Sequence, residues 1–264
     1  MRNAYNRSAE DKDLFVNFQP LVRKVFHRFG LDISRIDKTT LGQNPWLDME
    51  RFVADSPNTT LFDVGANIGQ SIARYRMHFP TSQIHSFEPS PQTFRELQTV
   101  ANADPRAKAW NFAFGSAPGK ALLNENKHSV MNSLLELGES GWGEVEKQTE
   151  VQIRTIDDFC REQNIQRVDA LKSDAQGFDL EVFRGAEQMM RENRIGLILC
   201  EVNFVEFYRQ EASFDQIYRF LMDRNFAVVS FYQIHYGKNV AKWTDVLFIN
   251  KTIHAAALAE KIEA

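Results

Sequence analysis

Along the first thirty residues the apolar side chains Phe15, Phe18, Val22, Val25 and Phe26 recur three or four apart, with Arg23, Lys24 and Arg28 off that stripe. This spacing predicts an amphipathic helix that Gly30 stops. The stretch "NPWLDMERFVAD" predicts a second, short helix. From Thr59 the pattern changes to apolar runs alternating with helical spacing. "TTLFDV" is a strand, and "IGQSIARYRMHF" a helix with Ile68, Ile72 and Tyr75 on one face. "SQIHSFEP" is a strand, "PQTFRELQTVANA" a helix with Pro91 in its first turn, and "AKAWNFAFG" a third strand.

An irregular polar insert, "SAPGKALLNENKHSVMNSLLELGESGWGEVEKQ", then predicts a hairpin and a mobile flap rather than core. After "EVQIRTIDDFCREQ", a strand and a helix, the alternation resumes. "VDALKSD" and "IGLILCEV" are strands, while "FDLEVFRGAEQMMREN" and "SFDQIYRFLMDRN" are helices. Two strands with no helix between them, "AVVSFYQIH" and "WTDVLFIN", close the chain and should pair antiparallel. Strand–helix repeats at this spacing imply one doubly wound α/β domain of six or seven mostly parallel strands.

Composition narrows the class. The chain of 264 residues is 43% hydrophobic and 25% charged, as in ordinary globular proteins. Its 31 basic and 35 acidic residues leave a net charge of −4, too weak and mixed to point to nucleic acid or a membrane surface. Cys160 and Cys200 form no metal-type pair and no disulfide framework, the first fifteen residues lack the apolar core of a signal peptide, and no apolar run is long enough to span a bilayer. The expectation is a cytoplasmic protein.

In an open α/β sheet, ligands bind beyond the carboxyl ends of the strands. The first strand ends in Asp63-Val64-Gly65-Ala66-Asn67-Ile68-Gly69. Neither the dinucleotide turn G-x-G-x-x-G nor a phosphate loop is present. A carboxylate at this turn repels a diphosphate and suits a cationic ligand. Glu88, nineteen residues after Gly69, stands where an acid accepts hydrogen bonds from ribose hydroxyls. Together they predict an adenosine that carries positive charge, S-adenosylmethionine.

Further along, Lys172, Asp174 and Gly177 end one strand, and Glu201 and Asn203 end the next. Asp174 and Glu201 are candidate bases for an acceptor hydroxyl. With Asn203 they could instead hold a divalent metal such as magnesium, or Asp174 could only orient Lys172 or a backbone amide. His128 in the flap and His235 near a late strand are further candidate bases, although histidines more often pack or face solvent. Phe204, Phe207, Tyr208, Phe231, Tyr232 and Tyr236 offer aromatic faces for a cyclic acceptor, with core packing the commoner use of such residues. Cys200 reads as an inert buried thiol.

The stretches "FDVGANIGQS", "FEPSP", "NFAFG", "TIDDFC", "LKSDAQGFDLEVFRGA", "LCEV" and "DVLFIN" stand in the order and spacing of the FkbM-family S-adenosylmethionine-dependent methyltransferases, which the chain resembles from about Thr59 to Asn250. The resemblance implies the class I methyltransferase fold, Rossmann-like, with a mostly parallel seven-stranded sheet and an antiparallel C-terminal strand. It implies methylation of a hydroxyl on a sugar, glycan or other secondary metabolite. It places Asp63, Gly65, Ala66, Asn67 and Gly69 at the methionine end of the cofactor and Glu88, with Pro89 and Ser90, at the ribose. Asn111 and Ala113 would border the adenine, and "MNSL", from Met131 to Leu134, would lie near the pocket.

One departure stands out. The family pattern Lys-Ile-Asp-x-Glu-Gly reads Lys172-Ser173-Asp174-Ala175-Gln176-Gly177 here, so an acid is replaced by an amide. The organisation expected is a helical extension over 1–58, the methyltransferase domain over 59–250 and a tail over 251–264. The extension could serve as a lid, a dimer contact or the acceptor pocket, and a homo-oligomer is compatible with the chain. For the acceptor side Asp174 leads, with Glu201 and His235 behind it, and Asp174 is also expected to contact the cofactor. The rival readings are an N- or carboxylate-methyltransferase, an NAD-type oxidoreductase and a non-catalytic cofactor-binding protein.

Overall fold

The computed structural model of the chain describes residues 40–259. The helix expected over 11–30 lies outside these residues. Of the described residues, 41–259 form one compact unit.

Helix α1 (Pro45–Phe52) starts at Asn44, whose side chain accepts from the Trp46 amide, and buries Trp46 and Met49. The first strand–helix repeat is β1 (Thr60–Val64) and α2 (Gln70–His78), followed by β2 (Gln83–Phe87), α3 (Pro91–Asn102) and β3 (Ala107–Trp110). The expected helix face was wrong at one position. Ile68 precedes α2 in the turn and is exposed, whereas Ile72 and Tyr75 are buried. Next come β4 (Ala113–Phe114), β5 (Gly119–Asn126), a 3₁₀ turn (Ser129–Met131), β6 (Val145–Arg154) and α4 (Ile156–Glu162). The chain returns through β7 (Val168–Ser173), α5 (Asp179–Arg184), α6 (Glu187–Arg191), β8 (Ile195–Asn203) and α7 (Phe214–Met222). It ends with β9 (Phe226–Phe231), β10 (His235–Gly237), β11 (Val240–Asn250) and the short α8 (Ala255–Leu258).

The main sheet runs in the order β10-β11-β8-β7-β1-β2-β3, with β9 also paired to β11. From β3 to β8 neighbours are parallel, and β11 lies antiparallel to β8, β9 and β10. This is the mostly parallel, Rossmann-like sheet with an antiparallel C-terminal strand. One apolar cluster covers each face. Phe62, Phe87, Phe159 and Phe183 lie in one, and Leu61, Tyr75, Phe79 and Leu247 in the other. Both cysteines are buried as free thiols, and burial pushes Cys160 to about 12 and Cys200 well above the usual thiol range.

Four elements differ from the expectation. "AKAWNFAFG" is two strands in two sheets, because the Asn111 amide donates to the Glu88 and Pro89 carbonyls and turns the chain. β4, β6 and β5 then form a separate three-stranded sheet. The insert therefore has a core of its own, in which Leu123, Val151 and Ile153 pack with Ala113. "FDLEVFRGAEQMMREN" is two helices that break at Gly185, whose carbonyl accepts from Asp157 N. The Asp157 carboxylate accepts in turn from the Gln188 and Met189 amides, capping α6 from outside. Finally, "AVVSFYQIH" ends as a strand at Phe231 and resumes at His235 as a separate strand.

Candidate functional site

The sheet order reverses between β1 and β7, from which β2 and β8 step away in opposite directions. At such a switch point the loops on either side diverge and leave a crevice. The backbones are close here, since Asp174 N donates to Val64 O at 3.0 Å. Gly65 has φ +74°, and a Cβ on it would lie 2.0 Å from the Asp174 carbonyl oxygen. Only glycine fits both constraints. A cavity of about 270 Å³ opens above this point. Its walls come from the loop after β1, the end of β2, the β4–β5 segment, the 3₁₀ turn and the loop after β7.

Gly65, Ala66, Asn67, Glu88, Pro89, Ala113 and Asp174, all expected at the cofactor, line the cavity. Glu88 is held from both sides. Its two carboxyl oxygens accept from Asn67 N at 3.0 Å and from Ser90 N at 2.8 Å. Burial nevertheless outweighs these two bonds and, with Asp63 and Glu125 adding repulsion, raises Glu88 to about 7. Phe87, Phe112, Leu123 and Leu134 give the same cavity an apolar side.

Other expected residues stand behind the wall. Asp63 is fully buried and does not line the cavity. Neither of its oxygens has a hydrogen bond, and its one close cation is Lys172 Nζ, 3.4 Å from Oδ1. Burial pushes Asp63 up against the pull of Lys172. Gly69 (φ +94°) packs on Leu97 and Val100 of α3, so its missing side chain serves helix packing. Ser90 is buried, caps α3 and donates to Glu125 of β5. Asn111 reaches the pocket only through the carbonyls it holds.

On the acceptor side, the Asp174 carboxylate takes Lys172 Nζ at 3.4 Å on Oδ2 and the Gln176 amide nitrogen at 2.6 Å on Oδ1. Burial works against the charge on Lys172, but Asp174, Asp63 and Asp245 outweigh it and hold the ammonium above the usual lysine range. Gln176 Oε1 accepts from the Tyr208 hydroxyl at 2.6 Å, and the Gln176 carbonyl accepts from Ser133 Oγ at 2.7 Å. Tyr208 also lies 3.5 Å from the Met131 sulfur, and of the "MNSL" segment Asn132, Ser133 and Leu134 line the cavity while Met131 does not.

Glu201 stands opposite Asp245 across β8 and β11, one residue beyond the Ser173–Cys200 pair. Burial and the nearby Asp174 push both carboxyls up. Neither lines the cavity, and neither does His235, whose ring stacks on Trp243 at 3.6 Å. His128 packs on Trp142 and does not line the cavity, although the next residue, Ser129, does. Of the possible metal set of Asp174, Glu201 and Asn203, only Asp174 lines the cavity, while the Asn203 amide nitrogen donates to Glu211 and its Oδ1 is buried with no hydrogen-bond partner. Among the described residues no three His, Cys, Asp or Glu side chains could hold a metal ion, and no helix is long and apolar enough to cross a membrane. Of the aromatic residues singled out, Tyr208 and Tyr232 are buried, while Phe204, Phe231 and Tyr236 are exposed.

Sequence reasoning missed Arg74 of α2, which lines the cavity and lies over the Trp46 ring, and Asp245. Arg74 is an ordinary exposed helix position by pattern. Asp245 did carry a signal, as the polar residue that begins the apolar run "DVLFIN".

The chain is similar to known methyltransferases. A family model described as the methyltransferase FkbM domain matches residues 63–228. The 2-O-methyltransferase NoeI of Sinorhizobium fredii is 22% identical over 165 residues, which cover 58% of this chain and 67% of NoeI. Methyltransferase sdnD of Sordaria araneosa is 25% identical over 186 residues, 59% of this chain and 71% of its own. The crystal structure of methyltransferase FkbM from Methylobacillus flagellatus KT superposes with a TM-score of 0.53 at 14% identity. That match covers 89% of this chain and 52% of the other, so this chain spans about half the length of that protein.

Proposed function

Because this chain belongs to the FkbM methyltransferase domain family, we propose that it is an S-adenosylmethionine-dependent O-methyltransferase acting on a hydroxyl of a sugar, glycan or glycosylated metabolite. The observation that carries the proposal is the pair of acids on the cavity wall. Glu88, fixed by two backbone amides on the cavity wall, suits a ribose, and Asp174, fixed by Lys172 and Gln176, lines the crevice where the strand order reverses. The name of NoeI, a 2-O-methyltransferase, supports oxygen as the acceptor atom.

The residues fit the cofactor on their own chemistry. The turn at Gly65 admits close backbone approach, Glu88 accepts from two neighbouring hydroxyls, and the apolar side formed by Phe112, Leu123 and Leu134 suits a purine. When bound, S-adenosylmethionine supplies an electrophilic methyl group on a sulfonium. Asp174 accepts the proton that the acceptor hydroxyl loses as its oxygen bonds to carbon. Lys172 keeps Asp174 in place and balances its charge. Asp63 steadies Lys172 from below, so the buried acid acts one residue away from the ligand. Because methyl transfer is an in-line displacement, holding the hydroxyl against the methyl supplies much of the rate.

The test is S-adenosylhomocysteine release over a panel of monosaccharides, methyl glycosides, amines and carboxylic acids. Turnover confined to hydroxyl acceptors supports the proposal. Turnover confined to amines or acids refutes the assignment of oxygen. Thermal stabilisation by NAD and none by S-adenosylhomocysteine would refute the cofactor.

A further inference from the structure

Gln176 stands where the related family pattern has an acid, and its surroundings account for the amide. Its side chain lies between a carboxylate and a phenol, 2.6 Å from Asp174 Oδ1 and 2.6 Å from the Tyr208 hydroxyl oxygen. A carboxylate only accepts hydrogen bonds, so the end of Gln176 that meets Asp174 must be its NH₂ group. That leaves Oε1 to accept from Tyr208. The orientation of the amide is therefore fixed by chemistry at both ends.

The backbone is fixed as well. Gln176 has φ +51° and is followed by Gly177 at φ +86°, and its carbonyl takes the Ser133 hydroxyl at 2.7 Å. Asp174 comes from the loop after β7, Tyr208 from the loop after β8, and Ser133 from the segment that follows the 3₁₀ turn. Gln176 is hydrogen-bonded to all three at once. Tyr208 is itself a rigid anchor, since it is 1% exposed. A glutamate of the same shape would keep the bond from Tyr208 but place two carboxylates 2.6 Å apart, removing the donor that aims Asp174.

We propose that Gln176 is a positioning residue. By bridging Tyr208 to Asp174 it holds the Asp174 carboxylate in the rotamer that meets the acceptor hydroxyl. The inference rests on the reading of Asp174 as the base, and it adds that the rate depends on a donor two residues away, on the same cavity wall, that acts through Asp174.

The experiment compares wild type, Gln176→Ala, Gln176→Glu, Tyr208→Phe, Asp174→Ala and the Asp174→Ala/Gln176→Ala double variant. Methyl transfer is measured with the methyl glycoside that turns over best, alongside affinity for S-adenosylhomocysteine. A catalytic group displaced by about 1 Å loses on the order of 100-fold in rate. Gln176→Ala and Gln176→Glu should therefore lower kcat by about 10- to 100-fold, with acceptor KM and S-adenosylhomocysteine affinity within about threefold. Tyr208→Phe, which leaves the amide in place but unanchored, should lose less. Groups that act through one another are non-additive, so the double variant should be no slower than Asp174→Ala alone. Gln176→Glu conserves volume and carries the test if the alanine variant folds poorly.

Full kcat in the Gln176 variants, or additive losses in the double variant, would overturn the inference and leave the base assignment standing. Full kcat in Asp174→Ala would remove the base, and the inference with it. A second arm needs no acceptor. In crystals of Gln176→Ala the Asp174 carboxylate should turn away from its wild-type position, and an unmoved carboxylate would refute the positioning role.

Discussion

Replacing Gly65 by alanine perturbs the point at which the two halves of the main sheet meet. At φ +74° a side chain costs about 1–2 kcal/mol in backbone strain alone. The added Cβ would also sit 2.0 Å from the Asp174 carbonyl oxygen, a distance that must open to at least about 3.0 Å. The obstacle is backbone, so no side-chain rotation relieves it. The ends of β1 and β7 must move apart by about 1 Å, which strains the Asp174 N to Val64 O hydrogen bond, worth about 1 kcal/mol. Together these effects amount to about 2–3 kcal/mol. For a chain of this size that corresponds to a fall in Tm of roughly 4–12 °C. The same opening drags Asp174 off the cavity wall, so S-adenosylhomocysteine affinity should fall at least about tenfold. Differential scanning fluorimetry and isothermal titration calorimetry on Gly65→Ala check both numbers. A melting temperature within about 2 °C of wild type, with unchanged affinity, would refute the close approach on which the site is built.

Other positions separate the roles further. Gly69→Ala pushes on Leu97 and Val100 at 3.1–3.3 Å and at φ +94°, so stability should fall by about 1–2 kcal/mol while S-adenosylhomocysteine still binds, as melting curves and calorimetry can show. Glu88 has its carboxyl raised from 4.5 to about 7, so stability from this group is full below pH 4.5 and falls by about 3 kcal/mol as pH rises through 7, readable as Tm against pH for the ligand-free protein. Ribose binding needs the ionised form, which is about a tenth of the population at pH 6 and nine-tenths at pH 8 by the same titration. Affinity for S-adenosylhomocysteine should accordingly tighten about tenfold over that range, and Glu88→Gln should abolish the trend. Asp174→Asn should lower kcat by roughly 100- to 10,000-fold, as removal of a general base does, with S-adenosylhomocysteine binding retained.

How much of this was legible in the sequence depended on range. Asp63 to Gly69 and Glu88 lie at the ends of strands whose apolar runs are unmistakable, so the position of the crevice followed from local pattern. Their individual duties did not. Asp63 and Glu88 look alike as strand-end acids, yet Lys172 shields one from the cavity while two amides present the other to it. The split of "AKAWNFAFG" turned on a single side chain, Asn111, whose bonds reach back over twenty residues. The break at Gly185 needed Asp157, some thirty residues upstream, to cap the next helix. Gln176 read as the loss of an acid because its partner Tyr208 is 32 residues away in the chain. Periodicity reports which face is buried, and it is silent about which distant polar group answers which.

The two buried thiols have a practical consequence. Cys160 and Cys200 are the only cysteines in the chain, and both are sealed in the core with their ionisation suppressed. The native protein should therefore ignore a thiol reagent until it unfolds, which makes reagent uptake a built-in clock for global opening. It also leaves the surface clear for a single cysteine placed in the loop between β5 and β6, which lines the cavity, where one fluorophore would report ligand binding without any background to remove.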